Sequence, residues 1–273
     1  MAQHVQYRDP SDTNAAPSPA IWAEFDEAPV GAWAHYFDDF LGPFDPTTAC
    51  GTVLTTVNSG TIKLLSPTST ITGLGILNVS SNGHNAQHDG VSSVQLGSSA
   101  VQEVWCPIAG HPLLFEARVM LNDESDEFFI GLCDTETAII DTSGDLDYAS
   151  RNMIGFSTDA NTTASYIEFT SANAGSADQQ TDCTGIASVS TETAFVDNTW
   201  IKLGFMAYVP AGKGALRVVP YVNGKAYTAI TDTDDIPTTI GTGDMAVSFA
   251  AQVAATGANA ELYVDWVRVA QKR

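Results

Sequence analysis

"WIKLGFMAYVPAGKGALRVVPYVNGKAY", residues 200–227, holds the pattern on which the fold turns. Ile201, Leu203, Phe205, Ala207 and Val209 recur at alternate positions with Lys202 opposed to them, which is a strand with one core-facing side. The pair Asn223–Gly224 supplies the two positive-φ residues of a type I′ turn, so 215–222 and 225–230 are expected to form an antiparallel hairpin. Pro220 lacks a donor and places its strand at an edge, or its missing donor outward.

The same signature recurs on both sides of this stretch. "LLFEARVML" (113–121) alternates Leu113, Phe115, Ala117, Val119 and Leu121 against Glu116 and Arg118. Further short runs rich in β-branched and aromatic residues are "TIKLL" (61–65), "GLGILNV" (73–79), "VSSVQL" (91–96), "EFFIGLC" (127–133), "MIGFS" (153–157), "ASYIEFT" (164–170), "MAVSFAAQV" (245–253) and "AELYVDWVRVA" (260–270). No capped stretch of 3.6-residue periodicity follows residue 42, so strands succeed one another without crossover helices and a doubly wound sheet is excluded. Two stacked antiparallel sheets remain. Residues 171–198 are nearly all small or polar and exceed ordinary loop length, which reads as a partner-contact or disordered excursion.

The totals agree. Of 273 residues 44% are hydrophobic and only 16% charged, so the polar surface is built from Ser, Thr, Asn, Gln and Gly, a mix that disfavours long helices. Eleven Lys and Arg against 32 Asp and Glu give a net charge of −21, which argues against nucleic acid or an anionic membrane as a partner. The N-terminus has no basic region followed by an apolar run, and no stretch approaches the ~18 apolar residues of a membrane helix. Cys50, Cys106, Cys133 and Cys183 lie too far apart for a C-x-x-C motif and read as free thiols. Residues 1–34 read as an extended arm: Pro10, Pro17 and Pro19 sit among small polar residues, then Trp22, Phe25 and Trp33 begin a run of aromatics that must dock on something.

Chemistry-bearing clusters are few. In "NDESDEFF" the carboxylates Glu124, Asp126 and Glu127 do not alternate along one strand as a glycosidase pair must, and they read as a solvated turn. His84, His88 and Asp89 sit in a loop composition, where a His-x-x-x-His spacing has no geometric meaning for zinc. His4, His35 and His111 are scattered. Asp141, Asp145 and Asp147, and again Asp232, Asp234 and Asp235, lack the spacing of a calcium loop and suit turns. Gly212, Lys213 and Gly214 form a turn rather than a phosphate loop. Trp105 reads as core or rim. No catalytic residue, metal ligand or cofactor is assigned.

With "HYFDDFLG" (35–42), the pair 113–121 and 127–133, the stretch with its Asn-Gly turn, and the closing "ELYVDWVRV" (261–269), the chain from about residue 35 to 270 resembles the concanavalin A-like jelly-roll superfamily. The resemblance implies an all-β, two-sheet antiparallel jelly-roll sandwich over 35–273 behind the N-terminal arm, with "YFDDF" paired to "LYVDWVRV". The short "FDDF" opening, the Gly, Ser, Thr and Ala-rich body and the acidity also resemble structural proteins of tailed bacteriophages, especially capsid decoration proteins. That implies a non-enzymatic virion protein made in the host cytoplasm, a homo-oligomer such as a trimer on the capsid surface. It would bind the major capsid protein or other virion subunits through Trp22, Phe25, Trp33, Tyr36 and Phe37. The alternative is a carbohydrate-binding module, lectin-like or adhesin, with a divergent glycoside hydrolase ranked third.

Overall fold

The computed structural model describes residues 22, 31–40, 54–57, 61–65, 76–80, 92–96, 105–123, 126–134, 139–140, 146–147, 151–158, 167–174, 178–182, 195–210, 214–231, 234–239, 244–252 and 260–273. Fifteen strands lie among them: β1 (Trp33–Asp38), β2 (Leu54–Val57), β3 (Thr61–Leu65), β4 (Ile76–Ser80), β5 (Ser92–Leu96), β6 (Leu113–Leu121), β7 (Glu127–Cys133), β8 (Met153–Thr158), β9 (Ile167–Ala172), β10 (Asp178–Asp182), β11 (Ile201–Tyr208), β12 (Arg217–Val222), β13 (Lys225–Ala226), β14 (Ala246–Gln252) and β15 (Glu261–Lys272). Sheet I runs β13-β12-β11-β6-β15-β4-β3 with β1 also on β15, and sheet II runs β10-β9-β8-β7-β14-β5-β2. All pairings are antiparallel.

The period-2 pattern does what it predicts. Phe115, Ala117, Leu203, Phe205, Val264 and Val267 face inward from sheet I and meet Phe128, Ile130, Ile154, Phe156, Phe169 and Phe249 from sheet II in one buried core. Rings carry the packing across the gap: Phe115 stacks on Phe205 at 5.1 Å, Phe205 meets Phe169 at 5.7 Å, and Phe169 meets Phe156 at 4.8 Å. Offset and tilted aromatic pairs of this kind add ~0.5–1.5 kcal/mol each beyond their buried area.

Two local signals act as read. Asn223 and Gly224 take φ of 49° and 82°, the type I′ pair, and Asn223 is tied to β11 by its N–H donating to the Lys202 carbonyl and its Oδ1 accepting from the Lys202 N–H. Pro220 faces Phe205 on one side, while on the other β13 pairs only with Tyr221 and Val222. β1 pairs with the second half of β15, Tyr36 opposite Val269 and Asp38 opposite Val267, as the jelly-roll resemblance implies. The "FDDF" motif ends that strand. Asp38 accepts from the Phe40 N–H at 2.7 Å and from the Tyr36 hydroxyl at 3.0 Å, and Phe40, at φ 53°, turns its ring into the core.

Four expectations change. The return strand of the Asn-Gly hairpin is two residues long rather than six, because Ile230 turns back to bridge Val218. The 171–198 excursion contains β10, which pairs with β9 from Asp178 opposite Ala172 to Asp182 opposite Glu168; its polar composition suits an edge strand as well as a loop. β2 lies in a stretch without a strong strand signature. The body also begins before residue 35, since Trp33 pairs with Lys272 and the Ala32 carbonyl accepts from the Arg273 N–H.

Candidate functional site

Alternation fixes which side chains stand on the outer faces, and the two faces differ in charge. Seven of the chain's 11 basic residues lie on strands of sheet I: Lys63, Arg118, Lys202, Arg217, Lys225, Arg268 and Lys272. No strand of sheet II carries a Lys or Arg, while Glu127, Glu168, Asp178 and Asp182 lie on them.

On sheet I one row crosses five strands: Tyr221, Gly204, Glu116, Arg268 and Phe37 are successive register partners. Glu116, 5% exposed, takes the Arg268 guanidinium through Nε at 2.8 Å and through Nη2. That guanidinium lies 3.7 Å from the Trp22 ring centroid and 5.6 Å from that of Trp266. Glu116 fits because Gly204 stands beside it; a Cβ there would meet the Phe115 carbonyl oxygen at 2.8 Å. Arg118 pairs with Asp265 at 2.6 Å, opposite the irregularity in β15, and lies over Trp200 at 4.8 Å.

Trp22, 1% exposed, is seated in this face with Trp33, Leu114 and Ala270, and Met206 packs against them. The sequence reading offered both tryptophans to a partner. The structure spends them within the chain, because the outer positions of β6 and β15 here are Leu114 and Ala270, an apolar seat. Tyr36 is half-buried against the core, and Phe37, at 39% exposure, keeps a surface to offer. Phe25 lies outside the described residues. The fit of Trp22 beside an arginine had no signal in the sequence.

Next to the seat, β11 and β12 carry Tyr208, Arg217 and Tyr221, all half-exposed, with Met206 and Val219 between them. Burial and the neighbouring Tyr208 push the Tyr221 phenol above its ordinary range. Among the described residues Lys202, Arg217 and Lys225 make no ion pair, and the Arg217 Nε is buried without a hydrogen-bond partner. Lys225 lies over the Tyr227 ring at 5.1 Å.

One row across the outer face of sheet II is made of short residues. Gly131 faces Gly155 across β7 and β8, and the row continues to Thr170 on β9 and Ser248 on β14. The Phe129 ring closes over Gly155, 2.7 Å from where a Cβ would stand. At one end Ile139, Ile140 and Leu146 pack on Phe129, Cys133, Met153, Ala172 and Ala250, so that end is covered by an apolar flap. The flap is fixed by the Ile140–Leu146 bridge and by Asp147, whose carboxylate reaches Arg151 at 3.2 Å. Thr170 and Gln252 are fully buried, with the Thr170 hydroxyl and both Gln252 amide atoms lacking hydrogen-bond partners.

Asp126 and Glu127 are 3% and 2% exposed, which corrects the expectation of a solvated turn: Thr158 accepts from the Phe128 N–H at 2.9 Å and donates to the Asp126 carbonyl at 2.7 Å, drawing the start of β7 inward. Glu127 and Glu168 share the outer face but stand on strands two apart and in different rows, so their backbones are about 12 Å apart. A retaining pair needs ~5–5.5 Å. The Asp234 and Asp235 carbonyls accept from Asn173 and Ser171, as turn residues do. No group of three or more His, Cys, Asp or Glu is gathered among the described residues. His111 is exposed, its Nδ1 3.1 Å from the Lys272 carbonyl oxygen. Trp105 is buried and bridges Met245 in the core. Glu124, His4, His84, His88, Asp89, Asp141, Asp145, Asp232, Gly212 and Lys213 lie outside the described residues.

No family model matches the chain, and no curated protein does. Solved structures do match. A protein of unknown function from Shewanella oneidensis MR-1 aligns with TM-score 0.52 at 12% identity, over 95% of this chain and 96% of that one. An endo-1,3-beta-glucanase from Streptomyces sioyaensis aligns at 0.49 and 14%, over 90% and 98%, and peanut lectin at 0.48 and 12%, over 88% and 97%. The likeness is one of fold alone, and the strand order gives that fold as two stacked antiparallel β-sheets.

Proposed function

We propose that the protein is a non-enzymatic structural component of a virion, a capsid decoration protein that binds neighbouring coat subunits. The observation that carries the docking part is the outer face of sheet I. In a chain of net charge −21, Lys202, Arg217 and Lys225 make no ion pair among the described residues and stand beside half-exposed Tyr208 and Tyr221. Tyr and Arg dominate protein interfaces, and cations kept clear of acids suit an acidic partner surface. The resemblance to phage structural proteins supplies the setting. The wide separation of Glu127 and Glu168 supports a non-catalytic role. Particles purified on a density gradient are expected to contain the chain, and purified protein to rebind particles stripped of it. Its absence from particles overturns the reading.

A second reading, a carbohydrate-binding module, is favoured by two buried groups with unpaired polar atoms on the outer face of sheet II, Thr170 in the row of Ser248 and the glycine pair and Gln252 farther along β14, opposite Glu127. Titration with neutral β-glucan oligosaccharides tests it: saturable binding lost in Gln252→Ala supports it, and absence of binding removes it.

A further inference from the structure

We infer that the outer face of β11 and β12 is a docking strip for an extended peptide segment that carries an acid at each end and apolar side chains between them, about seven residues from acid to acid. This rests on the assembly reading and names the partner element as such a segment of a neighbouring coat subunit.

Alternation and register build the strip. Leu203, Phe205, Val218 and Val222 face the core, so Lys202, Gly204, Met206 and Tyr208 of β11 and Arg217, Val219 and Tyr221 of β12 stand on the outer side. Tyr208 lies opposite Arg217, Met206 opposite Val219 and Gly204 opposite Tyr221, and Lys202 closes the far end opposite Arg118 on β6. Six residues along a strand set the backbones of the two cationic ends about 20 Å apart. Lys202, Met206, Tyr208, Arg217 and Tyr221 are all half-exposed in the folded chain, so the strip has surface left to cover.

Charge is confined to its ends. Among the described residues Lys202 and Arg217 make no ion pair. Lys202 stands beside a second cation, Arg118, and the Arg217 Nε is buried without a hydrogen-bond partner. Between the ends the floor is Gly204, Tyr221, Met206 and Val219, bordered on β6 by Leu114 and by Glu116, whose carboxylate already holds Arg268. A uniform polyanion, such as a nucleic acid or a sulfated polysaccharide, would lay its central charges over Met206 and Val219 and beside Glu116 with nothing to balance them. An extended peptide matches the pattern. Its first, third, fifth and seventh side chains face the strip, over Lys202, the Gly204–Tyr221 row, the Met206–Val219 row and Arg217 in turn. Gly204 adds no side chain and leaves the third residue room beside the Tyr221 ring. Tyrosine and arginine are also the residues on which interface energy concentrates.

Fluorescence anisotropy of the labelled peptide Asp-Thr-Leu-Thr-Leu-Thr-Asp with the full-length chain tests this without particles. Saturable binding is expected, weakening several-fold as salt approaches ~1 M. The peptide Asp-Thr-Leu-Asp-Leu-Thr-Thr has the same composition with one acid turned to the far side, and it should bind roughly 5-fold more weakly, the worth of one exposed ion pair. Lys202→Gln and Arg217→Gln should each weaken the first peptide by the same roughly 5-fold and leave the urea midpoint unchanged, while Arg217→Lys keeps most of the binding. No saturable binding, equal binding of the two peptides, indifference to both glutamine variants, or displacement of the peptide by a single-stranded oligonucleotide at lower concentration overturns the inference. A failed titration leaves the capsid reading standing, because particle binding is measured separately, and absence of the chain from particles strikes only that reading.

Discussion

On sheet I, long charged and aromatic side chains reach across the strands: Arg268 from β15 to Glu116 on β6, and Arg118 from β6 to Asp265 on β15. On sheet II the central outer positions hold Gly131, Gly155, Ser157, Ser248 and Ala250, and there the backbones of β7 and β8 approach closely. The two faces flank one core but are filled by opposite means. Where side chains cross strands, the surface is set by ion pairs that a partner can extend. Where they are missing, it is set by how closely strands approach, and the polar atoms of Thr170 and Gln252 are buried without partners.

The largest expected effect breaks the second of these. A Cβ on Gly131 would lie 2.5 Å from the Gly155 Cα and closer still to the Ile154 carbonyl oxygen, and neither backbone atom can swing aside. Gly131→Ala should cost about 3 kcal/mol in urea unfolding, near the top of the range for overpacking. A near-neutral result would mean that β7 and β8 part easily at this row. Glu116→Ala breaks the first face. It strands Arg268, whose side chain is 22% exposed and therefore partly rescued by water, so the cost should be about 2 kcal/mol. Because the guanidinium also lies on Trp22, indole fluorescence should change in the native state, whereas Glu116→Gln should keep most of both.

The core and the strand list were legible because alternation states which face is buried: 113–121 and 127–133 match β6 and β7 residue for residue. The Asn-Gly turn was legible because only such a pair accepts two positive φ values easily. β10 was not, since "DQQTD" has neither β-branching nor an apolar face, and only the neighbouring β9 makes it a strand. The site was less legible. That Asp126 and Glu127 are buried depends on Thr158, thirty residues on, and the segregation of cations depends on which strands join which sheet, a topological fact with no local signature. The aromatics before residue 40 were read as anchors for a partner, and Trp22 and Trp33 instead pack within the chain. Their acceptor, Leu114 and Ala270, appears only when β6 and β15 are side by side.

Smaller effects sharpen the contrast within β9. Thr170 and Ser171 are adjacent and fully buried, but point to opposite faces of sheet II. The Ser171 hydroxyl donates to the Asp235 carbonyl at 2.9 Å, while that of Thr170 has no partner. Ser171→Ala should therefore lose about 1 kcal/mol and Thr170→Val gain about 1 kcal/mol, the same type of change with opposite signs. Equal losses at both positions would show that the outer face satisfies its polar groups, and would weaken the carbohydrate reading.

The smallest effect lies where the sheets meet at one end. The Cys106 carbonyl accepts from Gln271 of sheet I, and its thiol points at the Pro237 carbonyl at 3.5 Å. Burial first, and then the Asp244 carboxylate, push the thiol up to about 12 from about 9. A raised acid favours the folded state while both states are protonated, so its contribution is complete below pH of about 9 and is lost as pH rises from about 9 toward about 12. The stability difference between the parent chain and Cys106→Ala, measured by urea unfolding at several pH values, should accordingly narrow above that lower limit. A difference that stays constant across this window would place the thiol in contact with water, and the seam between the two sheets would then be open rather than closed at this end.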